Sequence, residues 1–154
     1  MTEHIHLDDM QPGQVFGSGT LTVDADMIRR FAAEYDPQPF HLDDAAAQGT
    51  MFRGLAASGW HTSALTMRLL VDGGLPIAGG IFGAGMDELR WPTPVRPGDV
   101  LHLRSEVLEV RPSQSRPDRG MAKVRITTLN ARDEAVQVAV ANLVVPRRPS
   151  SSEA

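Results

Sequence analysis

Asp36 and His41 lie five positions apart in the run Tyr35-Asp36-Pro37-Gln38-Pro39-Phe40-His41-Leu42-Asp43, with a proline on either side of Gln38. A carboxylate and an imidazole are the usual pair for moving protons near neutral pH, and rigid presentation is what such a pair needs. Each proline fixes its own φ near −65° and pushes the residue before it out of the helical region. The run is therefore expected to be a stiff, non-helical loop with Asp36 and Gln38 extended. The bland alternative, a surface loop in which Asp36 caps a turn and His41 is solvated, is the better reading of the pair alone. Downstream residues have to decide.

The elements that would position this pair come in two blocks. Residues 14–21 read as a first strand. Thr22 or Asp24 then caps a helix whose apolar face is Met27, Ile28, Phe31, Ala32 and Tyr35, and Asp24 and Asp26 suit the positive end of its dipole. That helix must stop at Asp36, because Pro37 follows. Asp43 to Gln48 reads as one or two further helical turns. Ser58 is a good N-cap for a helix over 59–72 that ends at Gly73-Gly74. Trp60, Ala64, Met67 and Val71 make one apolar line on it, and Leu65 and Leu69 a second, so it reads as a core helix wrapped by other elements. From residue 80 the character is β, with strands expected near 80–91, 99–111, 121–131 and 135–146. In the last, Val136, Val138 and Val140 alternate with Gln137, Ala139 and Ala141, as in a half-buried strand. Helices first and antiparallel strands after them make the class α+β, a curved sheet around the long helix.

The chain of 154 residues is expected to be one domain over 1–148 with a disordered tail at 149–154. It has no cysteine, which excludes thiolate chemistry and cysteine-based zinc sites and leans towards a reducing, cytoplasmic compartment. The polar start, Met1 to His6, lacks the apolar run of a signal peptide, and no apolar segment approaches a membrane span. Fifteen basic against nineteen acidic residues, a net charge of −4, argue against a nucleic-acid binder. No phosphate-cradling or dinucleotide glycine motif is present. His4 and His6 have the spacing of a metal pair on a strand but no partner ligands, so no metal and no cofactor is expected. His61 reads as a core histidine. Arg90, Arg96, Arg147 and Arg148 could meet phosphates, yet none sits in a motif.

Three stretches together resemble the MaoC-like acyl-CoA hydratases and dehydratases, which include the R-specific enoyl-CoA hydratases. Asp36, Gln38, Pro39, His41, Leu42 and Asp43 match the family's signature. Gly54-Leu55-Ala56-Ala57-Ser58-Gly59 matches the small-residue approach to its central helix, and Pro94-Val95-Arg96-Pro97-Gly98-Asp99 its late turn. Gln38 stands where Asn is usual, and Ser58 where many relatives have His. The resemblance implies a single hot-dog fold and reversible hydration of a trans-2-enoyl-CoA to an (R)-3-hydroxyacyl-CoA, with Asp36 and His41 dividing the proton transfers around one water. Ser58 and Gly59 are the substrate-binding candidates, because the unpaired amides at the start of the central helix could hold the enolate oxygen. For Gly59 plain helix–sheet packing competes on equal terms.

Alternative readings are a hot-dog acyl-CoA thioesterase or a non-catalytic acyl-CoA-binding subunit. No acidic residue occurs between Ser58 and Val71, where thioesterases of this fold usually place one. The resemblance also implies a homodimer or dimer of dimers, with sites between two units that share a continuous sheet. The Val- and Ala-rich last strands read as the edges that such pairing would cover.

Overall fold

The computed structural model describes residues 3–149. The expected tail, apart from Pro149, lies outside the described residues. A short 3-10 turn, Leu7–Asp9, is followed by β1 (Val15–Gly17), β2 (Leu21–Thr22), α1 (Ala25–Tyr35), α2 (Pro39–Leu42), α3 (Asp44–Gln48) and α4 (Gly59–Leu69). Four strands complete the chain: β3 (Phe82–Arg90), β4 (Val100–Pro112), β5 (Arg119–Leu129) and β6 (Ala135–Pro146). They form an antiparallel sheet in the order β1-β4-β5-β6-β3, with β2 also pairing β4. The α+β class is as expected.

Local chemistry sets the helix ends. Asp24 caps α1 by accepting the Met27 N–H at 2.8 Å, and the helix ends at Asp36, whose backbone (φ −152°, ψ 66°) is already out of helical geometry. Ser58 caps α4. Beyond Leu69 that helix widens into a π-type turn, Leu70–Gly74, where Gly73 takes φ 125°, a value that only glycine adopts freely. The core lies between α4 and the sheet and includes Ile28, Leu55, Leu75, Leu101, Leu103 and Val124. Each such side chain stabilises the fold by about 1.5–3 kcal/mol on burial.

Several expectations are corrected. The first strand is two short strands, because the chain leaves β4 between Gly17 and Leu21. The segment after Asp36 is not a plain loop: Pro39 opens a helical turn, α2, at the position where its missing N–H is not needed. On α1, Tyr35 is exposed rather than part of the buried face. On α4 and the turn that continues it, the line Trp60, Ala64, Met67 and Val71 faces outward, while Thr62, Leu65, Thr66 and Leu69 are buried. Two threonines can be buried there because their hydroxyls bond the preceding turn, Thr66 Oγ1 donating to the Thr62 carbonyl at 2.9 Å. β6 is half-buried as expected, with Gln137, Ala139, Ala141, Leu143 and Val145 on its buried face and Val138, Asn142 and Val144 half-buried opposite, but β5 and β3 flank it, so β3 and not the last strand ends the sheet on this side. Arg147 and Arg148 do not present a free cationic tail: Arg147 pairs with Asp8 and Arg148 with Asp9. Among the described residues no helix is long and apolar enough to cross a membrane.

Candidate active site

The two prolines fold the chain back on itself between α1 and α2. Asp36 closes α1, Gln38 stays extended, and His41 sits on the single turn of α2, with its N–H donating to the Gln38 carbonyl at 2.9 Å. This brings His41 Nε2 to 3.4 Å from Asp36 Oδ2. The imidazole is buried, edge-on to Phe40 and close to Phe52. Its Nδ1 lies 2.6 Å from the Ala56 carbonyl oxygen. A carbonyl can only accept, so Nδ1 carries the proton and the neutral ring turns the Nε2 lone pair towards Asp36. Two acceptors facing each other at that distance call for a shared proton donor, or a second proton on the imidazole.

Asp36 is held at both oxygens. Gln38 Nε2 donates to Oδ1, and Ser58 Oγ donates to Oδ2 at 2.7 Å. Burial raises the carboxyl's pKa, but the bonds from Gln38 and Ser58, with His41 nearby, outweigh it and hold the group below the usual carboxylate range. Ser58 is fully buried and also accepts the Trp60 N–H at 3.3 Å. It therefore caps α4 and positions Asp36 at once.

Gly59 begins α4 under the Trp91 indole. A Cβ there would lie 2.6 Å from Trp91 Cε2, so packing explains the glycine directly. Among the described residues no hydrogen bond uses the Gly59 N–H. Trp91 Nε1 and Ser63 Oγ both donate to Gln137 Oε1, at 2.9 and 2.7 Å. Thr66 accepts from Thr128 at 2.6 Å, its own proton being committed to the Thr62 carbonyl. Of these, Ser63, Thr66 and Gln137 help to line a mostly apolar cavity of about 260 Å³ between α4 and β3, β5 and β6, with Met67, Leu70, Met86 and Leu143 among the other lining residues.

The other sequence candidates lie apart from this centre. His61 is buried and stacked on Phe31 at 4.7 Å; burial pushes its pKa down, and its Nδ1 has no partner, so it is a core histidine not fully satisfied. His6 lies near Asp9, His4 is exposed, and among the described residues no group of three or more His, Asp or Glu could hold a metal ion. Arg90 pairs with Glu88. Arg96 bonds backbone carbonyls. The Ala56 carbonyl was invisible to sequence reasoning, which reads side chains, and so was the Ser58–Asp36 bond across the fold.

A model of the MaoC-like domain matches residues 9–130. The chain belongs to the MaoC-like domain family. A MaoC-like dehydratase from Rhodospirillum rubrum, known from its crystal structure, is 55% identical, with a TM-score of 0.92 over 95% of this chain and 99% of that one. R-hydratase PhaJ1 from Pseudomonas aeruginosa is 28% identical, with a TM-score of 0.74 over 96% of this chain and 89% of that one. YdeM, an uncharacterized protein of Bacillus subtilis, is 35% identical over 130 residues, which is 84% of this chain and 91% of YdeM. The MaoC-like chain thus has the hot-dog fold, a curved antiparallel sheet against a central helix.

Proposed function

We propose that the protein reversibly hydrates a trans-2-enoyl-CoA to the (R)-3-hydroxyacyl-CoA, with Asp36 and His41 as the catalytic pair. The observation that carries this is the fixed His41 tautomer, which leaves Nε2 facing the Asp36 carboxylate at 3.4 Å. A water donating one proton to each acceptor is held with a lone pair free to attack C3. As the C3–O bond forms, one water proton passes to the pair, and the pair returns a proton to C2, so the sum is H–OH added across the double bond. The two groups act as one coupled acid–base unit. Charge builds on the thioester oxygen during attack. We assign its stabilisation to the Gly59 N–H at the positive end of α4, while Ser58 acts on the substrate through Asp36.

The assembly belongs to the same reading. β3 ends the sheet with an exposed edge, and Phe82 and Met86 on it join Met67 of α4 and Val71 of the π-type turn as exposed apolar side chains. An exposed edge beside an apolar surface suits a second copy of the chain, paired edge to edge as a homodimer or dimer of dimers with sites at the interface.

Assaying a panel of short, long, branched and aromatic enoyl-CoAs tests the activity. Loss of enoyl absorbance without thiol release is the expected result. Thiol release would make the protein a thioesterase, and neither signal on any substrate would leave a binding subunit.

A further inference from the structure

Segment 52–57 presents the Ala56 carbonyl to His41, yet it is neither helix nor strand. It includes two consecutive residues at positive φ, Arg53 at 57° and Gly54 at 157°. Such a conformation persists only when its surroundings fix it. The Phe52, Gly54 and Leu55 carbonyls accept no backbone N–H among the described residues. Buried or half-buried carbonyls without partners are costly, so something else must satisfy them.

Arg96 does so. Its Nη1 donates to Gly54 O at 2.9 Å and to Leu55 O at 3.3 Å, and its Nη2 to Phe52 O. The turn that carries it is closed on itself, with the Arg96 N–H donating to Asp99 Oδ2 at 2.8 Å and the Asp99 N–H to Arg96 O at 3.1 Å. The same turn receives the Ala57 N–H on Val95 O at 2.9 Å, directly after Ala56. Asp44 Oδ1 holds the Leu55 N–H at 2.9 Å, and Phe40 O, beside His41, accepts the Ala56 N–H at 3.1 Å. Among the described residues the guanidinium is thus the one side chain that gathers three carbonyls of this segment.

We propose that Arg96 is a positioning residue for proton transfer: by fixing segment 52–57 it aims the Ala56 carbonyl at His41 Nδ1 and so keeps Nε2 turned to Asp36. It rests on the reading of Asp36 and His41 as the proton-transfer pair. A planar fork with several N–H groups suits three divergent carbonyls; a lysine ammonium keeps the charge but not the geometry.

Arg96→Lys and Arg96→Met test this, with the ring nitrogens of His41 followed by long-range ¹H–¹⁵N NMR and assigned by comparison with His41→Gln. Wild-type His41 should be protonated at Nδ1. In both variants it should become a mixture of tautomers, with kcat down about 10- to 100-fold and KM changed less than about threefold. The wild-type tautomer persisting in either folded variant would overturn the proposal, as would a loss confined to KM. Failure of both variants to fold would also overturn it, making Arg96 a folding determinant only. If the wild type hydrates no enoyl thioester, the catalytic reading fails, while the His41 spectra still report on Arg96.

Discussion

Ser58 donates its hydroxyl proton to Asp36 Oδ2 at 2.7 Å, joining the start of α4 to the end of α1 across 22 positions of sequence. The helix cap and the carboxylate's support are one side chain. Losing it would disturb both a helix end and an acid–base group.

For Ser58→Ala, kcat should fall about tenfold with KM little changed. Asp36 must be ionised to accept a proton, so activity is lost as pH falls through its pKa. Ser58 is one of the groups holding that pKa down, so its removal should move the acid limb of the kcat profile to higher pH. Stability has the same sign: the depressed carboxyl contributes above its unfolded pKa, and that contribution is lost as pH falls through the folded one. An acid limb that stays in place in Ser58→Ala would refute the coupling.

Asp36→Asn keeps the size and most hydrogen bonding of the side chain but removes the base. Turnover should fall about 1,000-fold or more with the fold intact by circular dichroism. His41→Ala should be similarly damaging, and the double variant little worse than either, because both groups serve one water. Near-native turnover by Asp36→Asn on every substrate the wild type accepts would rule out this site.

Gly59→Ala sets two effects against each other. Alanine favours a helix by up to about 1 kcal/mol over glycine. A Cβ at 2.6 Å from the Trp91 indole should cost about 1–3 kcal/mol of overpacking, so net destabilisation is expected in urea melts. Trp91→Ala should relieve most of it, giving a coupling of about 1 kcal/mol or more in the double-mutant cycle. A Gly59→Ala protein more stable than wild type would exclude the packing role.

Sedimentation equilibrium at assay concentration should give at least twice the 16.7 kDa of one chain. Met86→Lys, on the exposed β3 edge, should shift the mass towards one chain and lower activity with it. A fully active species of single-chain mass would refute sites at an interface.

Hydration by a carboxylate–imidazole pair involves no change of oxidation state. Dialysis against a strong chelator should leave the rate unchanged, and a large metal-reversible loss would contradict the mechanism.

Much of the fold was legible because it rests on local signals. The Asp24 and Ser58 caps, the stop before Pro37 and the boundaries of β6 all follow from neighbouring residues. What failed depended on the other side of the fold. The Trp60–Met67–Val71 line is apolar but faces out, while Thr62 and Thr66 face in, because their hydroxyls bond the helix's own carbonyls. β6 looked like an edge because strand order is not written in periodicity. At the site, Asp36 and His41 stand out as a candidate pair from their types and the two prolines between them, but their role comes from the family resemblance and not from spacing. The roles of Ser58, Ala56 and Arg96 were not legible, because each acts through a contact set only by tertiary folding.

The supports of the acid–base pair come from α1, α2, segment 52–57, Ser58 and the turn around Arg96, whereas the apolar cavity is walled by the later part of α4 and by β3, β5 and β6. The two sets share no residue. Side-chain volume at Met67, Met86, Ala139 or Leu143 can therefore drift over generations without touching a single hydrogen bond of the proton machinery. On the proposed reading, change in what the cavity admits is separable from retention of the pair, so one proton-transfer geometry could serve molecules of different shape.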